Sequence, residues 1–301
     1  RDWSSDVCSS DLKKAVQLTF HRCDGSTWQK TTLAKGSSYS LPGVRDAEGY
    51  TFMGWSTKPM QSVSPQYEAE EKITVNGNVD LYAVVFNRTT ETDLTEDQLP
   101  QVDIYKYKQV IFVGDSRTEF MENVLTGMGE SATKNVKFVC SAGKGLDWFT
   151  TTGWAQLYSI VQHDSNSILS KKTAVIFNFG VNDLSKSADY AEYYNWIAPQ
   201  LKSKGCELYF MSVNPVNRLM LPNAGRADRS EAAVRSFNQY MKANLPSAYT
   251  YIDMYSYLKS TGYSFASDHY GTGTVDDGLH YTTRTYKRIF AKCMDSLRVP
   301  A

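Results

Sequence analysis

The chain has 301 residues, of which 42% are hydrophobic and 21% are charged, and this composition is typical of a globular protein of about two domains. Its 32 lysines and arginines balance its 32 aspartates and glutamates, so the formal net charge is zero. A balanced charge gives no electrostatic footprint for nucleic acid, and we expect no nucleic-acid partner. No apolar run approaches the roughly 18 residues that a transmembrane helix needs, so no transmembrane segment is predicted.

Residues 1–12, RDWSSDVCSSDL, resemble the in-frame translation of a short-read sequencing adapter, so we treat them as an artefact rather than as part of a fold. On this interpretation the natural N-terminus is missing, and any signal peptide is lost with it. The remaining cysteines, Cys23, Cys140, Cys206 and Cys293, are widely scattered. Their spacing indicates no zinc site, and we predict neither a metal nor a cofactor.

Residues 13–87 carry a small all-β pattern without a helical period. Apolar or alternating runs predict strands at 16–20, 50–57, 73–75 and 81–86. The segment resembles the Listeria–Bacteroides repeat, the internalin-type B repeat of bacterial surface proteins, through residues 49–52 (GYTF), 54–57 (GWST), Tyr67, 73–75 (ITV) and 81–83 (LYA), and it departs from it at Val85. The resemblance implies an extracellular or cell-surface setting and a spacer or adhesive role.

Two aromatic residues of this module have alternative roles. Trp55 and Tyr82 are either core residues of the small sheet or platforms for a sugar ring, and contact with a cell-wall or surface glycan through residues 13–87 is the second possibility. Residues 88–104, which follow, are polar and acidic with few large apolar side chains. Such a composition cannot bury a core, so we predict a linker.

From residue 105 to 301 the pattern alternates between strands and helices. We predict strands at 110–113, 136–140, 174–179, 208–213 and 249–252, and helices at 116–128, 147–163, 188–203, 229–244 and 283–297. Nearly continuous apolar strands indicate a parallel sheet covered on both faces, and therefore a three-layer α/β domain. In such sheets ligands bind beyond the carboxyl ends of the strands.

Polar motifs follow several of these strands or precede the last helix. Ser116 comes directly after Gly114 and Asp115 at the start of a helix, where it is either part of a helix cap or an exposed nucleophile. A serine hydroxyl needs a base. His280, with Asp277 three residues before it, is the first candidate, and His269 with Asp268 is the second.

Two further motifs could supply donors to an oxyanion. Asn182, in the sequence GVND after the third strand, is either a turn residue or an amide donor. The turn after the second strand contains Gly143 and Gly145, and the Gly145 N–H is the further donor that we favour. A nucleophile, a base, an orienting acid and oxyanion donors together indicate acyl transfer by a serine hydrolase.

Residues 105–301 resemble the SGNH hydrolases, the GDSL-type esterase superfamily. Ser116 matches the serine of its first block, Asn182 the asparagine of its third, and Asp277 and His280 the Asp-x-x-His of its last; Gly145 is preferred over Gly143 for the second. The resemblance implies a flavodoxin-like parallel sheet, a metal-free ester hydrolase, the catalytic residues Ser116, Asp277 and His280, and an oxyanion hole formed by Ser116, Gly145 and Asn182.

Four residues near these blocks are candidate substrate contacts. Arg117 replaces the usual leucine of the first block and would bind an anionic group or form a salt bridge. Trp148, Asn214 and Tyr281 would line the pocket, or else serve ordinary packing. The function that we expect is a secreted or surface bacterial esterase that removes acyl groups, such as acetyl, from carbohydrate or cell wall through an acyl-enzyme. The alternatives are an acyltransferase, a lipase or thioesterase using the same residues, and an inactive surface-binding protein.

Overall fold

The computed structural model describes residues 15–164, 171–221, 229–267 and 276–298. Residues 1–12, predicted to be an artefact, and the alternative pair Asp268 and His269 lie outside these ranges. None of the helices in the described ranges is both long and apolar enough to cross a bilayer.

The N-terminal module is all-β, as predicted. Its strands are β1 (Ala15–His21), β2 (Thr27–Ala34), β3 (Ser37–Ser40), β4 (Tyr50–Ser56), β5 (Lys72–Val75) and β6 (Val79–Asn87). Four of them form a sheet in the order β2-β1-β6-β4, in which only β1 and β6 run parallel, and β3 pairs with β5. Strands β2 and β3 were not predicted, because their side chains are mostly polar and exposed and give no apolar period.

Trp55 belongs to the core of this module. It is fully buried, its indole Nε1 donates to the Pro42 carbonyl at 2.8 Å, and its ring packs 4.8 Å from that of Phe20. Tyr82 is half-buried and stacks on His21 with ring centres 4.5 Å apart. Of the two predicted roles for Trp55, the core role is therefore the one its position fits.

The second domain is built on five parallel strands in the order β8-β7-β9-β10-β11. These strands are β7 (Tyr107–Gly114), β8 (Val136–Cys140), β9 (Lys172–Asn178), β10 (Cys206–Met211) and β11 (Tyr249–Ile252). This is the 2-1-3-4-5 order of flavodoxin-like sheets, and it confirms the predicted fold class. The five strands lie within three residues of their predicted positions because buried apolar runs mark them clearly.

Helices cover both faces of this sheet. They are α1 (Ser116–Met128), α2 (Glu130–Thr133), α3 (Leu146–Trp148), α4 (Trp154–Asp164), α5 (Ser187–Ser203), α6 (Glu231–Asn244), α7 (Met254–Thr261) and α8 (Thr283–Ser296). One core cluster joins the sheet to α4, α5 and α6, and another joins it to α1, α7 and α8. The predicted helix 147–163 is interrupted by a π-helical turn at Phe149–Gly153.

A short antiparallel pair, which the sequence pattern did not predict, precedes the last helix. Strand β12 (Phe265–Ser267) pairs with β13 (Asp276–Tyr281). Asp277 and His280 therefore lie on a strand that directly precedes α8. The three-residue strand β12 carries too little periodicity to be recognised from sequence.

The segment between the two domains is docked on the second domain through a few buried residues, while most of its other residues are exposed. It forms two short 3-10 turns (Arg88–Thr90 and Glu96–Gln98), and Leu99 and Val102 are buried in the core of the second domain. The buried Glu91 accepts from Ser264 Oγ at 2.6 Å and from Arg288 Nη1 at 2.9 Å. The linker prediction missed this docking, because a segment too polar to form its own core can still pack against an existing one.

The N-terminal module shares a core with the second domain. Met53, Val84 and Phe86 of the module belong to the same buried cluster as the strands of the large sheet, and the ring of Phe86 lies directly against Gly262. The buried Lys259 of α7 pairs with Glu68 of the module at 2.8 Å and donates to the Met53 carbonyl at 2.8 Å. Apolar burial thus stabilises the contact between the domains, and loss of Glu68 would leave the buried Lys259 charge less well paired.

Candidate active site

Ser116 is placed at a tight turn between β7 and α1. Asp115 caps the helix by accepting from the Arg117 N–H at 3.0 Å, and Ser116 is the first helical residue. A Cβ on Gly114 would lie 2.0 Å from Thr118 Oγ1, so this approach of strand and helix requires glycine. The Ser116 N–H is one of the first-turn amides that have no acceptor within the helix.

Ser116, His280 and Asp277 form one hydrogen-bonded chain. His280 Nε2 lies 2.8 Å from Ser116 Oγ, and His280 Nδ1 lies 2.6 Å from Asp277 Oδ2. The other carboxylate oxygen of Asp277 accepts the backbone N–H groups of Leu279 at 2.8 Å and His280 at 2.7 Å. All three catalytic candidates are buried.

The charge on Asp277 is stabilised by these donors. Burial alone would raise the pKa of this carboxyl, but the hydrogen bonds from the His280 ring and from the backbone N–H groups of Leu279 and His280 outweigh burial and hold the pKa below its usual value. Asp277 is therefore ionised at neutral pH and orients the imidazole with Nδ1 as donor. Nε2 is then left to accept the Ser116 hydroxyl proton.

Phe120 packs against the imidazole and was not predicted from the sequence. It lies one helical turn after Ser116, and its ring centre is 4.8 Å from that of His280. Residues four apart share a helix face, so its spacing from Ser116 was the available signal. Its ring restricts the positions open to His280.

Asn182 is oriented by a buried arginine. Its Nδ2 donates to the Lys144 carbonyl at 2.7 Å, while Arg229 donates from Nη2 to Asn182 Oδ1 at 2.5 Å and from Nε to the Val181 carbonyl at 3.1 Å. Because Arg229 can only donate, the amide oxygen must face it and the amide nitrogen must face the turn after β8. Nothing in the sequence around Arg229 distinguished it from a surface arginine.

The two glycines of that turn are required for different reasons. Gly143 has a φ of +68°, a backbone conformation that favours glycine, although a Cβ added there would meet open space. A Cβ on Gly145, in contrast, would lie 2.3 Å from Asp183 Oδ2. Asp183 occupies this space because it accepts from the Leu146 N–H at 2.9 Å and from the Tyr190 hydroxyl at 2.8 Å. The peptide that Asn182 contacts joins Lys144 to Gly145, so Gly145 is the glycine directly linked to Asn182.

Arg117 does not occupy a substrate-binding position. It is 2% exposed, and its three guanidinium nitrogens donate to the carbonyls of Leu279 (3.0 Å), Asn214 (3.0 Å) and Pro215 (3.1 Å). Neither predicted role, an anion contact or a salt bridge, is found for Arg117 among the residues that the structure describes. Arg117 instead ties the start of α1 to β13 and to the loop after β10, because backbone carbonyls satisfy its buried charge.

Tyr281 and Asn214 are also interior residues. The Tyr281 hydroxyl donates to the Pro215 carbonyl, and its ring packs 5.3 Å from the Arg117 guanidinium carbon. Its predicted role as a pocket-lining residue does not fit this burial. Asn214 is 1% exposed, and its side-chain amide has no hydrogen-bond partner among the residues that the structure describes. Trp148 is half-buried, with its ring 6.1 Å from that of Phe179, and is the only one of the four with substantial exposure.

A serine bonded to an imidazole, itself bonded to a carboxylate, at the carboxyl edge of a parallel sheet is the site of a serine hydrolase. The model of the GDSL-like lipase/acylhydrolase family matches residues 110–293, which is more than half of the chain. The chain belongs to this family and is a serine esterase of the SGNH type. The Listeria-Bacteroides repeat domain matches residues 17–84, as predicted for the module.

Comparison with solved structures finds similar but distant chains. A protein of Bacteroides fragilis described as an acylhydrolase is 17% identical, with a TM-score of 0.43, and the alignment covers 67% of this chain and 92% of that one. The acetyl xylan esterase AlAXEase is 10% identical (TM-score 0.42; 63% and 99% covered). The C-terminal catalytic domain of peptidoglycan O-acetyltransferase A from Streptococcus pneumoniae is 17% identical (TM-score 0.37; 64% and 94% covered). The search of curated proteins found no match.

Proposed function

We propose that this chain is an extracellular or cell-surface esterase of a bacterium that removes short acyl groups, such as acetyl, from carbohydrate or cell-wall polymers. The observation that carries the hydrolytic part is the hydrogen-bonded chain from Asp277 through His280 to Ser116. The surface setting rests on the N-terminal repeat, because such repeats occur in bacterial surface proteins.

The mechanism that we infer proceeds through an acyl-enzyme. Ser116 Oγ attacks the ester carbonyl carbon as its proton passes to His280 Nε2, and Asp277 stabilises the resulting imidazolium. His280 returns the proton to the leaving alkoxide when the C–O bond breaks, which leaves the acyl group on Ser116. Water then attacks this ester with His280 as base, releasing a carboxylic acid and free serine.

The negative oxygen of each tetrahedral intermediate needs donors that are already in place. We assign this role to the N–H groups of Ser116 and Gly145 and to Nδ2 of Asn182. The Ser116 N–H lies at the positive end of α1. Asn182 is held by Arg229 with its amide nitrogen toward the peptide between Lys144 and Gly145, which supports Gly145 rather than Gly143 as the second donor.

A glycan contact through the N-terminal module is supported by an aromatic cavity of about 220 Å³. Trp28 and Tyr50 line it and are 40% and 43% exposed, and Arg22 and Arg45 lie beside them. The Trp28 ring lies nearly parallel to that of the buried Trp55, with ring centres 5.9 Å apart, so the core of the module supports it from one side. Exposed aromatic faces beside hydrogen-bond donors suit the apolar face and the hydroxyls of a sugar ring.

The hydrolytic activity is tested by incubating the full chain with a short-chain aryl ester, beside Ser116→Ala and His280→Ala. Wild type should release the phenol and both variants should be nearly inert. Equal inactivity of all three would argue instead for a surface-binding protein. Acetate release from acetylated xylan and from peptidoglycan then tests the substrate, and appearance of an acylated sugar acceptor would identify an acyltransferase.

The glycan contact is tested separately by co-sedimentation with insoluble xylan and with peptidoglycan. Trp28→Ala should weaken binding. Trp196→Ala is the matched control, because Trp196 is 53% exposed on α5 of the second domain and outside the cavity. Equal binding of the polymers by Trp28→Ala and Trp196→Ala would contradict a glycan-binding role for the cavity.

A further inference from the structure

Asn217, on the loop after β10, contacts both the N-terminal module and the strand that carries the base. Its Nδ2 donates to the Val44 carbonyl at 3.0 Å and to Asp46 Oδ1 at 2.8 Å, both in the module. Its backbone N–H donates to the Gly278 carbonyl at 2.8 Å. Gly278 directly follows Asp277, so two hydrogen bonds in sequence join the module to the catalytic acid.

The module side of this connection is held firmly. The Asp46 side chain is fully buried and pairs with Arg88 at 2.6 Å, and it also accepts from the Phe52 N–H at 3.0 Å. Arg45, next in the chain, donates to the Leu219 carbonyl on the same loop as Asn217. The loop after β10 is therefore anchored to the module at two points.

The active-site side tolerates little displacement. A Cβ on Gly278 would lie 2.4 Å from the Asn217 carbonyl oxygen and 2.6 Å from Met220 Cβ, so β13 runs in close contact with this loop. Arg117 donates to the next carbonyl of the strand, that of Leu279. The Leu279 carbonyl of β13 is thus held by Arg117 of α1, the helix that begins with Ser116. The Gly278 carbonyl beside it is held by Asn217, on the loop that is anchored to the module.

We propose that the N-terminal repeat is a positioning element of the active site, acting through Asp46 and Asn217 on Gly278 and hence on Asp277 and His280. Release of this anchor lets the loop and β13 shift relative to Ser116. A displacement of about 1 Å at catalytic groups can lower turnover 100-fold, so small movements suffice. The inference rests on the proposed ester hydrolysis for its kinetic measurement only.

The test compares Asn217→Ala and the isosteric Asp46→Asn with wild type in the full chain. With a short aryl ester, which has no part that extends to the module, kcat should fall roughly 10- to 100-fold while KM stays within about twofold. Proton NMR should show a low-field resonance of the His280 Nδ1 proton in wild type that is shifted or lost in both variants.

Arg235→Gln is the matched control, because Arg235 also bonds a module carbonyl, that of Ala69 at 2.9 Å, while within the described ranges it bonds neither Asp46, Asn217 nor Gly278. It should retain both kcat and the resonance. Unchanged kcat and resonance in Asn217→Ala and Asp46→Asn would overturn the proposal, as would equal losses in Arg235→Gln. If wild type hydrolyses no ester, the proposed function fails, and the NMR comparison still decides the positioning role.

Discussion

Ser116 Oγ lies 2.8 Å from His280 Nε2, although the two residues are 164 positions apart in the chain. The helix start after β7 presents the serine, and the short strand β13 presents the histidine. Asp277, on the same strand, bonds both the imidazole and the backbone of its own strand. The acid therefore orients the base and also shapes the strand that carries it.

Asp277→Asn tests this double role. An amide at this position can present its NH₂ to His280 Nδ1, which favours the tautomer whose Nε2 already carries a proton and cannot accept one from Ser116. We expect turnover of an aryl ester to fall by about 10⁴-fold with little change in KM. Steady-state kinetics check this, and circular dichroism should show that the variant is folded. A fall of less than about tenfold would contradict the role of Asp277.

Asn182→Ala should lower kcat by about 100- to 1,000-fold, because one donor to the oxyanion is removed. Arg229→Met should have a smaller effect in the same direction, since it frees the Asn182 amide to rotate without deleting it. A double variant checks the assignment: if Arg229 acts through Asn182, adding Arg229→Met to Asn182→Ala should cost little further activity. Additive losses would indicate an independent role for Arg229.

The two glycines of the turn after β8 give opposite expectations. Gly145→Ala places a Cβ against the Asp183 carboxylate and should displace the proposed donor, with a loss of kcat of at least tenfold. Gly143→Ala meets open space and should cost only the strain of a positive φ, about 1 kcal/mol of stability, with kcat retained. Kinetics and thermal melts of both variants separate these effects. The reverse pattern would assign the donor to Gly143.

The stability of the folded chain should respond to pH through Asp115. Burial raises the pKa of this carboxyl to about 6, although Arg117 opposes the shift. A raised pKa means that the folded state prefers the protonated form, so this contribution to stability is complete below about pH 4 and is lost as pH rises through about 6. Asp115→Asn should therefore be more stable than wild type at pH 8, by up to about 3 kcal/mol.

At pH 4 the same variant should show no such advantage, because Asp115 is then neutral in wild type as well. Urea unfolding at the two pH values measures the difference. An equal difference at both pH values would show that packing or the helix cap, not the buried charge, is responsible.

Residues 105–301 should be markedly less stable alone than in the full chain. Removal of the module strips Met53 and Phe86 from a shared core and leaves Lys259 without Glu68. Burial of a large apolar side chain contributes about 1.5–3 kcal/mol, so we expect a fall in Tm of roughly 10 °C or more. Differential scanning calorimetry of the fragment beside the full chain tests this. An unchanged Tm would show that the contact contributes little.

The sequence alone determined the type and position of the main elements. The strands of the parallel sheet are continuous apolar runs, and the helix start at Ser116 carries its own cap, so both are encoded by neighbouring residues. The carboxyl ends of the parallel strands indicated the edge of the sheet at which Ser116 and Asn182 would lie. The spacing of Asp277 and His280 indicated the acid and base pair, although not the strand that holds it.

Only the tertiary structure decided which polar side chains contact one another. Arg117 bonds carbonyls 97, 98 and 162 residues away, and Asn217 bonds a module residue 171 positions before it. Contacts of this kind leave no local period, since they depend on how distant elements pack. The docking of the repeat module also depends on tertiary structure, because Glu91, Leu99 and Val102 of the connecting segment become buried only when both domains are folded.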